Sequence, residues 1–370
     1  MKQKTIYVTV TNNTLQDQRM QRICNSLTEN GYDVVLVGRG EGNMEFPGRA
    51  FSTKLISTFF GRGILFYLEF NIKLIIFLTG KEFDAITSVD LDTIIAGRIV
   101  TLLKNKKLIF DAHEYFINVP ELLHRPIKRW LWIAIEKVFV SGLSLAYTVN
   151  KSLAAEFTRR YHQPFHSIRN TPVINAKVNQ PKSLSEGKVI LIYQGALNVG
   201  RGLELYVEAM PSLPNCVLWI CGRGDIEEEL VKRIRRSGCP ERVVMKGFIA
   251  PDQLIKITRN AHIGLNMLDP ASKSYFHSLA NRYFDYINAG IPAIHMDYPE
   301  YRLHNNEIET SVLINDYSTN DLIAAVNSLI QYPEKYDRLA ANCGKAKFIF
   351  NWNHESKKLI SLYDSVLYAD

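Results

Sequence analysis

Short apolar runs alternate with longer amphipathic stretches along the whole chain, and this alternation limits the fold more than any other feature of the sequence. A strand, a helix and a second strand form a unit that returns the chain parallel to its start. Repeated units of this kind build parallel sheets covered by helices. In the first half the expected strands are Thr5–Val10, Asp33–Val37, Ala85–Val89, Lys107–Phe110, Leu145–Val149 and His166–Ile168. In the second half they are Val189–Tyr193, Cys216–Ile220, Arg242–Met245, Ile263–Met267, Ala293–Met296 and Val312–Ile314. The helices fall between them, beginning with Asp17–Asn30, which closes at Gly31. The expected fold class is α/β, with two doubly wound, Rossmann-like parallel-sheet domains.

Between the halves lies Asn170–Lys188, where Pro172 and Pro181 sit among Asn, Lys, Ser and Gly. That composition marks a linker. The expected organisation is a first domain over residues 1–170, a linker over 171–188, a second domain over 189–351 and a terminal segment over 352–370. The last helix, Asn353–Tyr368, follows the aromatic patch Phe348–Trp352 and is expected to cross back onto the first domain. Two such domains leave a cleft facing the C-terminal ends of their strands, where open α/β sheets bind ligands. No internal repeat or low-complexity tract is apparent.

The 370 residues, 46% hydrophobic, suffice for two ordinary globular cores. An aromatic content of 11% and a charged content of 22% speak against disorder, a collagenous repeat or a disulfide scaffold. The five cysteines, Cys24, Cys216, Cys221, Cys239 and Cys343, are odd in number and show no CxxC spacing. They read as reduced, mostly buried residues of a cytoplasmic protein. The net charge of +7 is uneven: residues 1–175 hold 22 Lys+Arg against 15 Asp+Glu, and residues 176–370 hold 22 of each. An anionic membrane surface, an anionic acceptor or nucleic acid would each exploit a basic first half, and a merely solvated basic face would look the same.

No secretory signal is visible, since residues 1–10 run straight into a strand pattern. Leu55–Thr79 is strongly apolar but carries Arg62, Glu69 and Lys73, so it reads as a core or interfacial helix and not a membrane span. His124–Ser141 is similar, with Arg125, Lys128 and Arg129 leading into Trp130 and Trp132. Basic residues beside Trp suit a headgroup interface, and a buried helix with a solvated basic end suits them equally.

The segment Ser278–Pro292 reads as a helix with a polar start, stopped by Gly290. Ser278 is expected to cap it and leave open backbone N–H groups that attract an anion. Asn281 and Asp285 are four apart and share a face. A carboxylate one to two turns below an anion site suits a ribose beside a diphosphate, so the segment points to a nucleotide-linked ligand.

Three further loops end strands of the same sheet. Val189–Tyr193 runs into Gln194, Gly195, Ala196, Leu197, Asn198, Val199, Gly200, Arg201 and Gly202 before a helix at Leu203. Glycines let the backbone approach a phosphate, and Arg201 offers a bidentate fork, although Gly-rich turns occur in every such sheet. Cys221-Gly222-Arg223-Gly224-Asp225 repeats the pattern, and its acidic continuation to Glu229 complements a helix N-terminus. Gly247-Phe248-Ile249 offers backbone and an aromatic ring to a base, and His277 precedes the polar helix.

In the first half, Lys107–Phe110 leads to Asp111-Ala112-His113-Glu114. His113 at a strand end suits contact with a sugar hydroxyl, or a hydrogen-bonded structural role. A metal is not expected there, because no second His follows at i+4 and no Cys is near. Asp90-Leu91-Asp92 resembles a carboxylate metal motif, but Asp92 is better explained as the N-cap of a helix over Thr93–Leu103. Asp17 and Arg19 open the first long helix, where they either meet an acceptor or pair with each other. No G-x-S-x-G, Walker A or HExxH pattern is present, and the first loop, Thr11-Asn12-Asn13-Thr14, lacks the glycines of a dinucleotide fold.

Taken together these residues resemble a glycosyltransferase of the GT-B fold, family 4, over nearly the whole chain. Asp285, in FDYINAGIPAI, occupies the second acidic position of the family's E-x7-E signature, and His277 replaces the first. The resemblance implies that Asp285 holds the donor ribose, that the position of His277 contacts the donor sugar, and that amides near Ser278 and Leu279 meet the diphosphate. The family's phosphate-binding pair falls on Ala196, which lacks the charge, and on Arg201, which keeps it. DAHEYF matches the strand-end His motif, placing His113 near the donor sugar. Ile168–Pro172 and the run from Trp352 to Tyr363 also look like family members, and Asp17 and Arg19 match a D-x-R pattern on the acceptor side.

The resemblance implies metal-independent transfer from a nucleotide-sugar with retention of configuration, and no cofactor. The donor-binding set would be Gly195, Arg201, Gly222, Arg223, Phe248, His277, Ser278, Leu279, Asn281 and Asp285, with His113 and Arg201 catalytic. A saccharide or lipid-linked saccharide acceptor is expected, with an anionic membrane surface as a further partner and no nucleic acid. A sugar-nucleotide epimerase on the same fold and a non-catalytic partner subunit are the alternatives.

Overall fold

The computed structural model describes residues 3–368 except 13, 15–16, 41–48, 124, 175–183 and 185–186. Most of the expected linker, with Pro181, therefore lies outside the described residues, as do His124 and Asn13. The chain divides into two compact units, residues 1–170 with 353–370, and residues 171–352.

The first unit is built on a seven-stranded sheet of β1 (Thr5–Thr9), β2 (Asp33–Arg39), β3 (Ser52–Ile56), β4 (Ala85–Val89), β5 (Lys107–Ala112), β6 (Leu145–Thr148) and β7 (His166–Ser167). The order is β3-β2-β1-β4-β5-β6-β7 and every pairing is parallel. Central strands buried on both faces are largely apolar, and Ile6, Val8, Ala85 and Ile86 are fully buried. The chain order reverses between β1 and β4, the kind of position at which open α/β sheets bind ligands.

β3 was not expected. Its sequence, STKLI, is half polar, and as an edge strand it needs little apolar surface. The apolar region expected as one helix over Leu55–Thr79 is thus divided. Its start belongs to β3, and the helix runs over Ile64–Thr79, entered through Gly63 at φ +83°. Elsewhere the strand limits shift by a residue or two, as where β5 continues to Ala112.

The last helix, Trp352–Leu367, belongs to this first unit. Tyr363 is fully buried, with its hydroxyl 2.9 Å from Thr87 Oγ1 and 3.1 Å from the Tyr147 hydroxyl. Tyr32 donates to Asp364 at 2.5 Å, and Arg169 pairs with buried Glu355 at 2.7 Å.

The second unit carries a six-stranded sheet of β8 (Val189–Gln194), β9 (Cys216–Cys221), β10 (Val243–Gly247), β11 (Ile263–Asn266), β12 (Ala293–Met296) and β13 (Ser311–Ile314). Its order is β10-β9-β8-β11-β12-β13, again all parallel. The reversal lies between β8 and β11. Over these two strands sits the helix Asn281–Ala289. A Cβ on Gly264 would come within 2.4 Å of the Tyr286 ring, so glycine in β11 lets this helix lie close to the sheet. The Tyr286 hydroxyl ties it down further, 3.1 Å from the carbonyl of Ile192 and 3.0 Å from that of Leu265.

Cys24, Cys216, Cys221, Cys239 and Cys343 are buried and free. Among the described residues no helix is long and apolar enough to cross a membrane.

Candidate active site

In the second unit the loops at the C-terminal ends of the strands pack on one another through glycine. Gly222 follows β9 at φ +147°, and a Cβ there would lie 1.8 Å from the carbonyl oxygen of Gly195. The Gly195 amide donates to Cys221 O at 2.9 Å, and the Gly222 amide donates to Gly247 O at 2.8 Å. A Cβ on Gly224 would meet Leu197 O at 2.4 Å. The loops after β8, β9 and β10 therefore form one layer. Arg223 and Phe248 project from it into solvent.

The loop after β8 also contacts the segment after β11. Asp269 N donates to Gly200 O at 2.9 Å, and the Tyr275 hydroxyl donates to Val199 O at 3.2 Å. Arg201 lies with its guanidinium carbon 5.9 Å from the centre of the Tyr275 ring. Its Nε is buried without a hydrogen-bond partner among the described residues.

The polar helix starts later than expected. Its first residue is Asn281 and its N-cap is Ala280, with no side-chain cap bond. Ser278 does not cap it. The Ser278 hydroxyl and amide both donate back to Tyr275 O, at 2.8 and 3.1 Å. The short turn Lys273–Phe276 claims this residue before the next helix begins, with His277 as its C-cap. Leu279 is buried, and the Ala280 amide donates to the Tyr301 hydroxyl at 3.0 Å.

Asp285 lies one turn into this helix, on the face it shares with Asn281. Gln194 at the end of β8 donates to Asp285 Oδ2 at 2.8 Å, and Gln194 Oε1 accepts from Thr258 at 2.6 Å. The carboxylate is thus anchored at the C-terminal end of β8, beside Gly195.

One residue in this region was not anticipated from the sequence. Arg282, 6% exposed, lies across Tyr193 with its guanidinium carbon 4.5 Å from the ring centre. Its Nη2 would be 3.4 Å from a Cβ on Gly195. Burial works against its charge, and the phenols of Tyr193, Tyr286, Tyr206 and Tyr301 favour it. Below it, burial and the Arg282 charge push His295 down to about 3, so this imidazole is neutral. The neutral ring stacks on Tyr301 at 4.7 Å and 14°.

In the first unit the expected residues converge at the C-terminal end of β5. Arg19, 4% exposed, pairs with Asp111 at 3.0 Å and donates to Ile168 O at 3.0 Å. Its Nε is 3.1 Å from His113 Nε2. Arg19 was expected on the acceptor side, but it is buried and turned toward Asp111 instead of Asp17. Asp17 N-caps the first helix, Gln18–Glu29, accepting from Met20 N at 3.0 Å.

His113 Nε2 is 3.0 Å from Asp111 Oδ2, its amide donates to Asp90 at 2.7 Å, and its Nδ1 is 3.8 Å from the same carboxylate. Burial opposes its charge, but Asp111 and Asp90 more than offset this and raise it to about 9. The two carboxylates thus favour the charged imidazole at neutral pH. Burial raises Asp90 to about 7 against the pull of His113.

Asp92 is not the N-cap that was expected. The helix starts at Asp90 with Val89 as its N-cap, and Asp92 accepts from Thr11 at 2.6 Å. Asp90 reaches His113 by adopting φ +52°, a left-handed conformation that Asp tolerates at a cost of roughly 1 kcal/mol. Among the described residues no group of three or more His, Cys, Asp or Glu side chains is arranged to hold a metal ion.

A parallel-sheet unit with closely packed glycine loops, two cationic side chains and an anchored carboxylate suits a nucleotide. Residues 175–346, most of the second unit, match the family model described as glycosyl transferases group 1. The second unit is thus similar to the group 1 glycosyl transferases, and the fold of the chain is of the GT-B class. Sucrose-phosphate synthase from Thermosynechococcus elongatus has a similar structure, with 15% identity over 100% of both chains and a TM-score of 0.82. Anabaena HepE, in complex with UDP and glucose, has 14% identity over 98% of this chain and 100% of its own, with a TM-score of 0.76. WaaG, a glycosyltransferase of lipopolysaccharide biosynthesis, has 14% identity over 98% of this chain and 99% of its own, with a TM-score of 0.70. No curated protein matches the chain in sequence.

Proposed function

We propose that this protein is a glycosyltransferase that moves a sugar, with retention of anomeric configuration, from a nucleoside-diphosphate sugar to a saccharide or lipid-linked saccharide acceptor in cell-envelope or capsular polysaccharide synthesis. The observation that carries the donor part is the Gln194–Asp285 hydrogen bond, which anchors a carboxylate beside the glycine layer of Gly195 and Gly222. In this reading Asp285 accepts from the ribose hydroxyls, and Phe248 and the Gly247 backbone lie against the base. His277 contacts the donor sugar. The amides near Leu279 and Asn281, with Arg201 and Arg223, face the diphosphate. HepE, on the same fold, is in complex with UDP and glucose, which supports a nucleotide-sugar donor.

The chemistry is electrostatic. Negative charge grows on the β-phosphate as the glycosidic bond breaks, and prearranged donors stabilise it most where water is excluded. Front-face substitution needs no protein nucleophile, and the departing phosphate takes the acceptor's proton. Neither a metal nor a cofactor enters this account. His113, charged and fixed between Asp111 and Asp90, is assigned to the sugar hydroxyls, and the first unit, including Asp17, to the acceptor.

The same reading places the protein peripherally on the cytoplasmic face of an anionic membrane. Leu65, Leu68, Ile72 and Ile76 are all exposed on the helix Ile64–Thr79. Ile127, Trp130 and Val138 are exposed on Pro126–Phe139, beside exposed Arg125 and Lys128. The two helices touch through Tyr67 and Trp132, whose ring centres are 5.1 Å apart.

A thermal-shift screen against UDP, GDP and other nucleoside diphosphates tests the donor assignment. A ligand at 100 times its dissociation constant adds about 2.7 kcal/mol. The expected result is a rise in Tm with one nucleotide that disappears in Asp285→Asn. An unchanged Tm with every nucleotide would overturn the reading.

A further inference from the structure

Two arginines are buried among the described residues, Arg19 and Arg282, and their surroundings differ. Arg19 is neutralised by Asp111 and also donates to a backbone carbonyl. Arg282 makes no side-chain hydrogen bond and no ion pair among the described residues, and its Nη1 is fully buried without a partner. Its neighbours are rings: Tyr193 beneath the guanidinium, with Tyr206, Tyr286 and Tyr301 around it. An aromatic face attracts a cation but accepts none of the five N–H donors in the way an oxygen does. A buried guanidinium always carries its proton, so this site holds a positive charge that no described residue neutralises.

The position of that charge is specific. The guanidinium reaches Gly195, the residue directly after β8, with Nη2 and Cζ at 3.4 and 3.6 Å from where a Cβ would stand. A side chain at position 195 would fill this space. The following residue, Ala196, brings no charge of its own. Arg282 is also the second residue of Asn281–Ala289, whose N-terminal amides have no side-chain cap. A helix N-terminus and an unneutralised guanidinium therefore meet at the end of β8, and both favour an anion.

We propose that Arg282 is a diphosphate-binding residue, its buried guanidinium completing an oxyanion site with Gly195 and the first turn of Asn281–Ala289. The inference rests on the reading of the second unit as the donor site and deepens it. Tyr193 holds the planar fork in place, so little side-chain freedom is lost when a phosphate arrives. The charge is kept dry and fixed where the leaving group's negative charge would develop, as electrostatic stabilisation of a departing phosphate requires.

The test compares wild type, Arg282→Gln and Arg282→Lys by calorimetric titration with UDP, GDP, inorganic pyrophosphate and the nucleosides uridine and guanosine. Arg282→Gln is expected to weaken binding of the preferred nucleoside diphosphate, and of pyrophosphate, by roughly 10- to 100-fold, the loss expected when hydrogen bonds to a charged group are removed. Nucleoside binding should not change. Arg282→Lys, which keeps the charge but not the fork, should fall between. Without ligand, Arg282→Gln should melt no lower than wild type, because removing an unneutralised buried charge relieves a cost.

If Arg282 is only a strut between tyrosines, Arg282→Gln will melt lower without ligand and bind the diphosphates as wild type does, which overturns the inference and leaves the donor site standing. Should the glutamine variant not fold, unchanged diphosphate binding by Arg282→Lys with a lowered Tm would overturn it equally. Pyrophosphate binding that depends on Arg282, without binding of any nucleotide, would uphold the oxyanion site and overturn the nucleotide reading. Wild type that binds none of the diphosphates overturns both.

Discussion

Gln194 and Asp285 stand 91 residues apart in sequence and are joined by a 2.8 Å hydrogen bond across the end of the second sheet. The same glutamine accepts from Thr258 at 2.6 Å, so a three-residue relay fixes the rotamer of the carboxylate. Asp285→Asn is expected to weaken nucleoside diphosphate binding by about 2 kcal/mol, the worth of hydrogen bonds to a charged acceptor. Gln194→Leu keeps the carboxylate and loosens it, with an expected loss of about 1 kcal/mol. Calorimetric titration of both variants reads the difference, and equal affinity in Asp285→Asn and wild type would refute the role.

The His113 cluster makes stability depend on pH. Its folded pKa, raised from 6.5 to about 9, means the folded chain holds a proton that the unfolded chain releases earlier. This contribution is complete below about pH 6.5 and is lost as pH rises through 9. Asp90, raised from 3.8 to about 7, acts with the same sign between those values. His113→Gln is therefore expected to cost on the order of 2 kcal/mol at pH 6 and progressively less toward pH 9.5. Denaturant unfolding at a series of pH values measures it, and a deficit that grows with pH would contradict the pairing.

Gly222 cannot be replaced cheaply. Its φ of +147° is outside the range of L side chains, and a Cβ would overlap the Gly195 carbonyl. Gly222→Ala must either push the β8 loop outward or unfold the end of β9, at a cost of about 3 kcal/mol from the strain and overpacking together. Loss of nucleotide binding should accompany the fall in Tm. An alanine variant with wild-type Tm and affinity would show that the loop layer is not rigid.

Flotation with vesicles containing anionic lipid checks the membrane assignment. Wild type should float at low salt and be released as salt rises, because the basic contribution is screened. Leu68→Glu with Ile72→Glu should abolish flotation while leaving nucleotide binding intact, since both side chains are exposed on a helix of the first unit. Equal flotation of the double variant would remove this face from consideration.

The alternation of strands and helices was legible because parallel strands buried on both faces favour near-continuous apolar runs, as in β8 and β9. β3 was not, since an edge strand such as STKLI satisfies its backbone without an apolar signature. Ser278 and Asp92 both have good capping chemistry, and each was drawn elsewhere, Ser278 to the Tyr275 carbonyl and Asp92 to Thr11. Capping residues compete for every nearby backbone partner, and the sequence does not rank those partners. The loop glycines and Asp285 could be read because their spacing is local. Arg282 could not, because an arginine in the first turn of a helix ordinarily reaches solvent. Its burial depends on Tyr193 and Tyr206, more than seventy positions away. A cationic residue flanked by Asn281 and Tyr283, facing a sheet rich in tyrosine, was the only available hint.

Because Trp352–Leu367 seals the first unit, the ribosome imposes an order on assembly. Residues 171–352 are contiguous and can mature as soon as they emerge. The earlier-made β1, β4 and β6 must wait, with Thr87 and Tyr147 lacking Tyr363, until the segment that carries Tyr363 is translated. The sheet of the first unit is begun before the second unit and completed after it, so that surface stays available to chaperones in between.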